Sequence, residues 1–355
     1  MSKSVTPHKK PYLRPLDLQQ GRVDMAHGAG GRATAQVIDE IFVRHFANEW
    51  LGQGNDGAVL PALAPGEKLV MATDGHVVSP LFFPGGDIGC LSVHGTINDV
   101  AVMGARPLWL SAAFILEEGF LLAELERIVV SMAKAAREAG VPIVTGDTKV
   151  VERGKGDGVF ITTTGVGALP QGTDLGGQRA EAGDAILVSG TLGDHGMAMM
   201  SAREGLGFTA PIVSDTAALH GLIAGLLATG AEIHVLRDPT RGGLGATLNE
   251  IAAQSGVGMM LEEAQLPIQP AVAAACEFLG LDPLYVANEG KLIVMCKAAD
   301  ADKALAALRA HPQGRAAAII GRVTEDPRHF VQMRTPLGGR RMVDWLAGEQ
   351  LPRIC

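Results

Sequence analysis

A glycine-rich, polar stretch at residues 166–184 divides this 355-residue chain into two parts. Each part alternates short apolar runs with amphipathic helical patterns, and that alternation predicts two α/β domains. A chain of this length can bury two hydrophobic cores of ordinary size. We therefore predict a first domain over residues 23–167 and a second over 168–333, flanked by a mobile arm at 1–22 and a flexible tail at 334–355.

The apolar periodicity predicts elements in both parts. In the first part we expect a helix over residues 35–46, a strand over 69–72, a helix over 120–138 that Gly140 ends, and a strand over 141–144. In the second part we expect a strand over 185–188, a helix over 217–227, a strand over 292–295 and a helix over 302–311. Short strands between helices are typical of α/β and α+β layers.

Composition argues against several classes of partner. The net charge of −8 and the aromatic content of 4% speak against nucleic acid, because a phosphate backbone requires a basic face and unpaired bases require aromatic platforms. No apolar run approaches the length of a membrane span. Residues 1–20 lack the apolar core of a signal peptide.

The four cysteines, Cys90, Cys276, Cys296 and Cys355, are widely spaced. No two of them have the C-x-x-C spacing, so the sequence predicts neither a zinc site nor a disulfide framework. A reducing cytoplasm fits this usage best.

Five acidic residues carry the main chemical signal, each in a segment that we predict to be a glycine- or threonine-bearing loop. They are Asp56, Asp74, Asp99, Asp147 and Asp238. Carboxylates beside bare backbone amides suit Mg²⁺ with a polyphosphate, since the metal takes oxygen ligands and the amides take the remaining anionic oxygens. The alternative is that Asp and Gly are simply turn residues. Five such segments in one chain favour a ligand site.

Known nucleotide motifs are mostly missing. The chain has no G-x-x-x-x-G-K-[ST], which excludes a P-loop enzyme. Residues 28–33 satisfy G-x-G-x-x-A ahead of a helix, but residues 23–25 form a poor strand and no second strand with a terminal acid follows. A Rossmann domain is therefore disfavoured.

The tail finishes in Leu351-Pro352-Arg353-Ile354-Cys355. A thiol with no following residue can enter a cleft, Pro352 stiffens the approach, and Arg353 favours the thiolate. The alternative interpretation is an ordinary frayed end that happens to carry a cysteine. Fully extended, the residues after Thr335 span at most roughly 70 Å, so the tail reaches a site in its own subunit or in a neighbour's.

Taken together, several segments resemble the HypE family of hydrogenase maturation factors. They are His27–Gly31, Phe82–Gly86, Gly95–Ala105, Thr145–Val151, Ser189–Gly196, Asp238–Gly243, Ala287–Lys291 and Pro352–Cys355. The Asn-Asp and Gly-Asp segments are shared across the wider aminoimidazole ribonucleotide synthetase and selenophosphate synthetase superfamily. The Pro-Arg-Ile-Cys segment is specific to HypE.

The resemblance implies a two-domain, aminoimidazole-ribonucleotide-synthetase-like fold of mixed α/β (α+β) class, with a β-rich N-terminal domain that forms a homodimer. ATP and Mg²⁺ would lie between the domains. The implied reaction is the ATP-dependent dehydration of a carbamoyl group on Cys355 to a thiocyanate. The carbamoyltransferase HypF would load that group, and the cyanide would pass to iron held by the HypC–HypD pair for a nickel–iron hydrogenase.

The resemblance also implies roles for single residues. Cys355 would carry the group, Lys149 would stabilise negative charge on the carbamoyl oxygen, and Glu289 would be the general base. The implied Mg²⁺ ligands are Asp56, Asp74, Asp99 and Asp238, and the implied nucleotide-binding residues are His27, Gly30, Gly31, Asn98, Asp147 and Thr148.

The chain departs from the family pattern at a few positions. Cys90 stands where relatives often carry lysine, and Asn55 precedes Asp56 where many superfamily members have two aspartates. Gly75 and His76 follow Asp74 where relatives often have serine and an aromatic residue.

Two other functions stay open from the sequence. The first is an ATP-using synthetase or kinase of the same superfamily that acts on a free small molecule and turns over without Cys355. The second is a scaffold whose tail only docks a maturation partner, with nucleotide as a conformational switch.

Overall fold

The computed structural model describes residues 14–53, 55–205, 211–346, 348, 351, 353 and 354. The helices are α1 (Arg32–Val37), which continues through the π-helical segment Ile38–Val43 into α2 (Arg44–Phe46), then α3 (Ile88–Val102), α4 (Leu122–Ala139), α5 (Asp194–Glu204), α6 (His220–Leu227), α7 (Gly243–Ser255), α8 (Pro270–Leu279) and α9 (Ala301–Ala310). The strands are β1 (Lys68–His76), β2 (Phe82–Phe83), β3 (Gly86–Asp87), β4 (Arg106–Glu117), β5 (Ile143–Val151), β6 (Val159–Leu169), β7 (Ala185–Val188), β8 (Ile233–Arg237), β9 (Gly258–Glu262), β10 (Ile293–Cys296), β11 (Ala318–Thr324), β12 (Val331–Arg334) and β13 (Arg340–Met342). Short 3₁₀ turns lie at Met25–Gly28, Leu51–Gln53, Gly177–Arg179, Glu263–Gln265, Pro283–Tyr285, Ala298–Asp300 and Pro312–Gly314.

The first domain is a sheet of order β1-β6-β4-β5 covered by helices. Strand β6 runs antiparallel to β1 and β4, and β4 runs parallel to β5. Helix α3 packs on β1 and β6, and α4 packs on α3. Most side chains of α3 are buried on every face, as expected of a helix enclosed between a sheet and other helices. Helix α3 also contacts α6 and β8, so it lies at the junction of the two domains.

Helix α4 illustrates how the sequence produces the predicted element. Leu125, Ile128 and Met132 recur at helical spacing and are fully buried. Gly140 ends the helix in the left-handed region at φ +68°, and its backbone N–H returns to the carbonyls of the last turn. Glycine adopts that conformation without a steric penalty. The prediction of this helix and of its end is confirmed.

The second domain is a sheet of order β13-β12-β9-β11-β7-β10-β8 with helices on both faces. Helix α7 packs into the core on one face, and α6 and α9 pack into the core on the other. All residues of β7 and β10 are buried, since helices cover both faces of these central strands. The second α/β pattern is confirmed.

The predicted mixed α/β class with two domains is confirmed. The predicted boundary after residue 167 falls within β6, which ends at Leu169, and β7 begins the second sheet at Ala185. Within the part of the chain that the structure describes, none of the helices combines the length and apolar character needed to cross a bilayer.

Candidate active site

A cavity of about 180 Å³ at the junction of the two domains is lined by four carboxylates. Asp74 and Asp99 come from β1 and α3 of the first domain. Asp238 and Glu289 come from the segments that follow β8 and precede β10 in the second domain. The structure therefore brings together residues that the sequence predicted for metal binding and for proton transfer.

Asp74 and Asp99 share the cavity because α3 passes close to β1. A Cβ atom at Gly95 would lie 3.3 Å from Oδ2 of Asp74 and 3.5 Å from Cε1 of His76, so a larger residue would crowd this contact. Asp99 lies one helical turn after Gly95 and therefore on the same face of α3. Because Gly95 has no side chain, α3 can approach β1 closely, and Asp99 therefore lies beside Asp74.

The prediction that all five acidic residues lie in loops is wrong for three of them. Asp74 lies within β1, Asp99 within α3 and Asp147 within β5. Strand pairing overrides the local turn signal, because β1 pairs with β6 through its whole length, as far as His76. Asp56 and Asp238 lie outside helices and strands, as predicted.

Burial and the charges of neighbouring carboxylates raise the pKa values of Asp99 and Asp238. The pKa of Asp99 rises to about 7, first through burial and then through the charges of Asp238 and Asp74. Burial, opposed by Arg237 and reinforced by Asp74, raises the pKa of Asp238 to about 6. The anionic forms of Asp99 and Asp238 are therefore destabilised, and binding of a proton or of a positively charged ligand relieves that destabilisation.

Glu289 is the most perturbed member of the group. It is 4% exposed, and its Oε1 atom has no hydrogen-bond partner among the described residues. Burial, followed by the charges of Asp215 and Asp238, raises its pKa well above the ordinary value. A buried carboxyl that lines a cavity and has one unpaired oxygen is a candidate for proton transfer.

The cation that lines this cavity is Arg241, which comes from the same segment as Asp238. His76 also lines it, is 2% exposed, and has a pKa lowered by burial. Its Nδ1 atom has no hydrogen-bond partner among the described residues. The imidazole therefore adds a neutral polar group to a predominantly anionic wall.

The donors fit a hard cation that is shared with a ligand. Asp74, Asp99 and Asp238 offer only oxygen atoms, which Mg²⁺ prefers. Among the described residues, no group of three or more His, Cys, Asp and Glu side chains is close enough to hold a metal ion alone. Mg²⁺ commonly binds one or two protein carboxylates together with phosphate oxygens and waters, so an incomplete protein ligand set is compatible with it.

A second cavity, of about 240 Å³, lies beside β5 and is lined by Gly30, Asp147, Thr148 and Lys149 together with apolar residues. Lys149 donates through Nζ to Oδ1 of Asp147 at 2.7 Å, and that pairing lowers the pKa of Asp147. The backbone nitrogen of Thr148 donates to the same oxygen at 2.8 Å. Lys149 and Glu289 thus lie in different cavities.

Gly30 lines this second cavity, and the other predicted residue, His27, directly precedes Gly28, which also lines it. His27 is buried, and its Nδ1 accepts a hydrogen bond from the backbone nitrogen of Asp24 at 2.9 Å. Gly30 has φ +79°, a left-handed conformation that favours glycine. Gly31 is exposed and has open space around its Cα. Asp56 is exposed and lies outside both cavities.

Asn98 connects the two domains through hydrogen bonds. Its Oδ1 accepts from the backbone nitrogen of Leu219 at 2.7 Å, and its Nδ2 donates to the carbonyls of Ala217 at 3.0 Å and Glu289 at 3.4 Å. The side chain is 1% exposed. Its polar atoms are therefore used within the protein in this structure.

Sequence reasoning missed Asp215 and Lys291. The side chain of Asp215 is 4% exposed, accepts from Nζ of Lys291 at 2.8 Å, and accepts from the backbone nitrogens of Glu289 at 3.2 Å and Gly290 at 3.3 Å. These bonds fix the segment that carries Glu289. Asp215 and Lys291 are 76 residues apart, and neither stands in a local pattern that signals the pair.

The described part of the tail docks against both domains. Leu351 and Ile354 are buried in the core that the first domain shares with α5 and α8. The carbonyl of Arg353 accepts hydrogen bonds from the backbone nitrogen of Ser79 and from Nη2 of Arg203, each at 3.1 Å. Pro352 and the predicted carrier Cys355 lie outside the described residues.

Comparison with known proteins agrees with this architecture. Residues 54–169 match the N-terminal domain and residues 181–334 the C-terminal domain of AIR synthase related protein. A relative from Cupriavidus necator, named carbamoyl dehydratase HypE, is 69% identical over 98% of this chain and 99% of its own length.

Solved structures agree as well. The hydrogenase maturation protein HypE in complex with ATP is 52% identical, with a TM-score of 0.89 over 93% of this chain and 99% of that one. A HypE–HypF complex contains a chain that is 50% identical, with a TM-score of 0.77 over 87% of this chain and 99% of that one.

The paired domains and the acidic cavity between them define a two-domain protein of the AIR synthase related class. Identity at this level over nearly the whole chain goes further than the class. The chain belongs to the HypE family of carbamoyl dehydratases.

Proposed function

We propose that this protein dehydrates a carbamoyl group on its own Cys355 to a thiocyanate, at the expense of ATP, and so supplies cyanide for the iron of a nickel–iron hydrogenase. The observation that carries the proposal is the buried Glu289 carboxyl, whose Oε1 has no hydrogen-bond partner among the described residues and which shares its cavity with three further carboxylates at the junction of the domains. Family membership supports the reaction class.

The chemistry requires a leaving group and a base. Transfer of the γ-phosphoryl group of ATP to the carbamoyl oxygen forms the O–P bond and breaks the bond to ADP. Removal of both nitrogen protons then lets the C–O bond break, so that phosphate leaves and a nitrile forms on sulfur. Water must be excluded, because the activated intermediate would otherwise hydrolyse.

Glu289 is the proposed proton acceptor. Its backbone is fixed by Asp215, the residue lines the acidic cavity, and its Oε1 is buried without a hydrogen-bond partner among the described residues. A general base in such a position contributes about 10²- to 10⁴-fold to a rate. Mg²⁺, held by Asp74, Asp99 and Asp238 together with phosphate oxygens, would offset negative charge in this cavity.

Lys149 is the proposed cation for the carbamoyl oxygen and the phosphoryl group. Its side chain is 63% exposed, and its ammonium pairs with Asp147. Thr148 lines the same cavity and offers a hydroxyl to phosphate oxygens, and Gly30 lines it with a backbone nitrogen that donates to Oγ1 of Thr34 at 2.9 Å in this structure. This cavity is separate from that of Glu289 within one chain, so contact of both residues with one carbamoyl group requires a rearrangement or a second copy of the chain.

The partners follow from the same reaction. A HypF protein would load the carbamoyl group, and the existence of a HypE–HypF complex supports that pairing. The cyanide would pass to the HypC–HypD pair in the cytoplasm. A homodimer is supported by β1, an edge strand that exposes Leu69 and Met71 by 62% and 67%, since large apolar side chains on a sheet edge favour pairing with another chain.

Intact-protein mass spectrometry with mapping of the tail peptide tests the proposal. The full chain is incubated with HypF, carbamoyl phosphate and Mg-ATP. We expect Cys355 to gain the mass of a carbamoyl group and then to lose the mass of one water. An unmodified Cys355 in the presence of demonstrably active HypF would contradict the carrier mechanism.

The Cys355→Ala variant separates the alternatives. A synthetase that acts on a free small molecule would still turn over ATP with its substrate, whereas a self-modifying dehydratase binds ATP but forms no product. A scaffold would leave the wild-type thiol at constant mass while still responding to nucleotide.

A further inference from the structure

His195 holds the backbone of the tail at Ile354, the last residue that the structure describes. Its Nε2 lies 2.7 Å from the carbonyl oxygen of Ile354, and its ring is fully buried. Because a carbonyl oxygen can only accept, Nε2 carries the proton in this contact. Ile354 directly precedes Cys355 in the sequence, so this bond lies one residue from the proposed carrier thiol.

The other ring nitrogen is also in use. Nδ1 of His195 lies 2.8 Å from Oγ of Ser214. Burial lowers the pKa of His195, so the neutral imidazole accepts from the serine hydroxyl while Nε2 donates to the tail. The carbonyl of Ile354 thus fixes the tautomer, and the Ser214 hydroxyl pairs with the unprotonated Nδ1.

Both domains hold the plane of this imidazole. The ring of Phe83, on β2 of the first domain, meets it edge-to-face at 5.5 Å between centroids and 86° between planes. His195 itself belongs to the first turn of α5 in the second domain. The backbone nitrogen of Ser214 donates to the carbonyl of Pro84 at 2.8 Å, which ties the serine to the first domain as well.

The residue after Ser214 fixes the proposed base. Asp215 accepts hydrogen bonds from the backbone nitrogens of Glu289 and Gly290. A Cβ atom at Gly290 would lie 1.8 Å from the carbonyl oxygen of Asp215, so the two segments are in direct backbone contact. The dipeptide Ser214-Asp215 thus orients the histidine that holds the tail on one side and the segment of Glu289 on the other.

From this arrangement, and building on the proposed function, we infer that His195 is a positioning residue for the dehydration step. It fixes the carbonyl of Ile354 so that the group on Cys355 is presented to the site that Glu289 occupies. Loading by a partner enzyme needs the tail outside the protein, and dehydration needs it inside. Loss of His195 should therefore slow dehydration without slowing loading.

A single-turnover experiment tests this inference. The full chain is first loaded at Cys355 and then mixed with Mg-ATP, and loss of one water is followed by mass. For His195→Ala we expect unchanged loading and a dehydration rate about ten- to hundredfold lower, the range for a misplaced reacting group. His195→Gln retains a donor near the position of Nε2 and should recover most of the rate.

A second readout follows tail docking directly. Loss of a hydrogen bond of about 1 kcal/mol raises the undocked fraction about fivefold, so alkylation of Cys355 by iodoacetamide in the presence of ATP should accelerate by that factor in His195→Ala. His234→Gln removes another buried histidine, one far from the tail in sequence, and should leave both rates unchanged. If His195→Ala does not fold, Ser214→Ala replaces it as the test variant.

The outcomes separate the two proposals. A His195→Ala protein that loads, dehydrates and is alkylated as the wild type does would overturn the role of His195. A wild-type protein that loads but never loses water would contradict the proposed dehydration instead, while the alkylation rates would still test the docking by His195.

Discussion

Asn98, buried on α3 of the first domain, accepts a hydrogen bond at 2.7 Å from the backbone nitrogen of Leu219 in the second. Its amide nitrogen also donates to the carbonyl of Glu289. The side chain therefore ties the base-bearing segment to the helix that carries Asp99. This contact sets the spacing between two walls of the acidic cavity.

The first prediction concerns Asn98→Ala. The substitution leaves the buried N–H of Leu219 unpaired, and we expect a loss of about 2 kcal/mol in the free energy of unfolding, measured by denaturant titration. Asn249→Ala is the matched control, because Asn249 is buried and donates to carbonyls within the second domain. Both variants should lose stability, but only Asn98→Ala should also slow dehydration.

Glu289→Gln should stop the reaction without weakening the fold. The amide cannot take a proton, so dehydration should fall about 10²- to 10⁴-fold and carbamoylated Cys355 should accumulate. The melting temperature should not fall, because the change removes a buried carboxyl that Asp215 and Asp238 disfavour. Glu277→Gln, an exposed change on α8, is the control. Wild-type turnover in Glu289→Gln would remove the residue from this role.

Lys149→Ala should lower the dehydration rate about 10²-fold if the ammonium stabilises charge that develops in the transition state. The melting temperature should hardly change, because the ion pair with Asp147 is largely exposed. Lys155→Ala removes a nearby exposed lysine and should have no effect on rate. Equal rates in the two variants would contradict the role of Lys149.

Removal of divalent metal should abolish stabilisation by nucleotide. With Mg-ATP at about 100 times its Kd we expect about 2.7 kcal/mol of added stability, seen as a rise in melting temperature, and EDTA should remove it. Asp74→Asn should weaken the response, whereas Asp302→Asn, an exposed change on α9, should not. A full response of Asp74→Asn would exclude Asp74 as a ligand.

The ion pair between His234 and Asp184 predicts a pH dependence of stability. Burial opposes the charge on His234, but the 2.7 Å hydrogen bond from Nδ1 to Asp184 outweighs it and raises the pKa of His234. This stabilisation is complete below the pKa of the unfolded chain and is lost as pH rises through the folded value.

The free energy of unfolding, measured by urea titration between about pH 6 and pH 9, checks this sign. His234→Gln and Asp184→Asn should each remove the corresponding part of the decline with pH. If the free energy of unfolding of the wild type increases with pH over this range by the amount assigned to the pair, the predicted sign is wrong.

Much of the fold could be predicted because its signals are local. The stripe of Leu125, Ile128 and Met132 and the stop at Gly140 predict α4 without reference to the rest of the chain. Helix α3 was missed because nearly all its faces are buried, so its sequence lacks the apolar and polar alternation that marks an amphipathic helix.

The candidate site likewise contains residues that the sequence could predict and residues that it could not. Asp74, Asp99, Asp238 and Glu289 could be singled out because each stands in a distinctive short motif, and the structure gathers them in one cavity. Asp215 and His195 could not be assigned roles, because their partners, Lys291 and Ile354, are 76 and 159 residues away. Contacts that depend on how two domains pack have no local signature.

Strand β1 carries Asp74 and His76 toward α3, and alternation along the strand turns Leu69 and Met71 to the opposite side. The same nine residues therefore serve the acidic cavity on one surface and present an apolar seam on the other. If that seam joins two copies, the geometry of the cavity depends on assembly. Specific activity should then fall when the protein is diluted below the dissociation constant of the dimer.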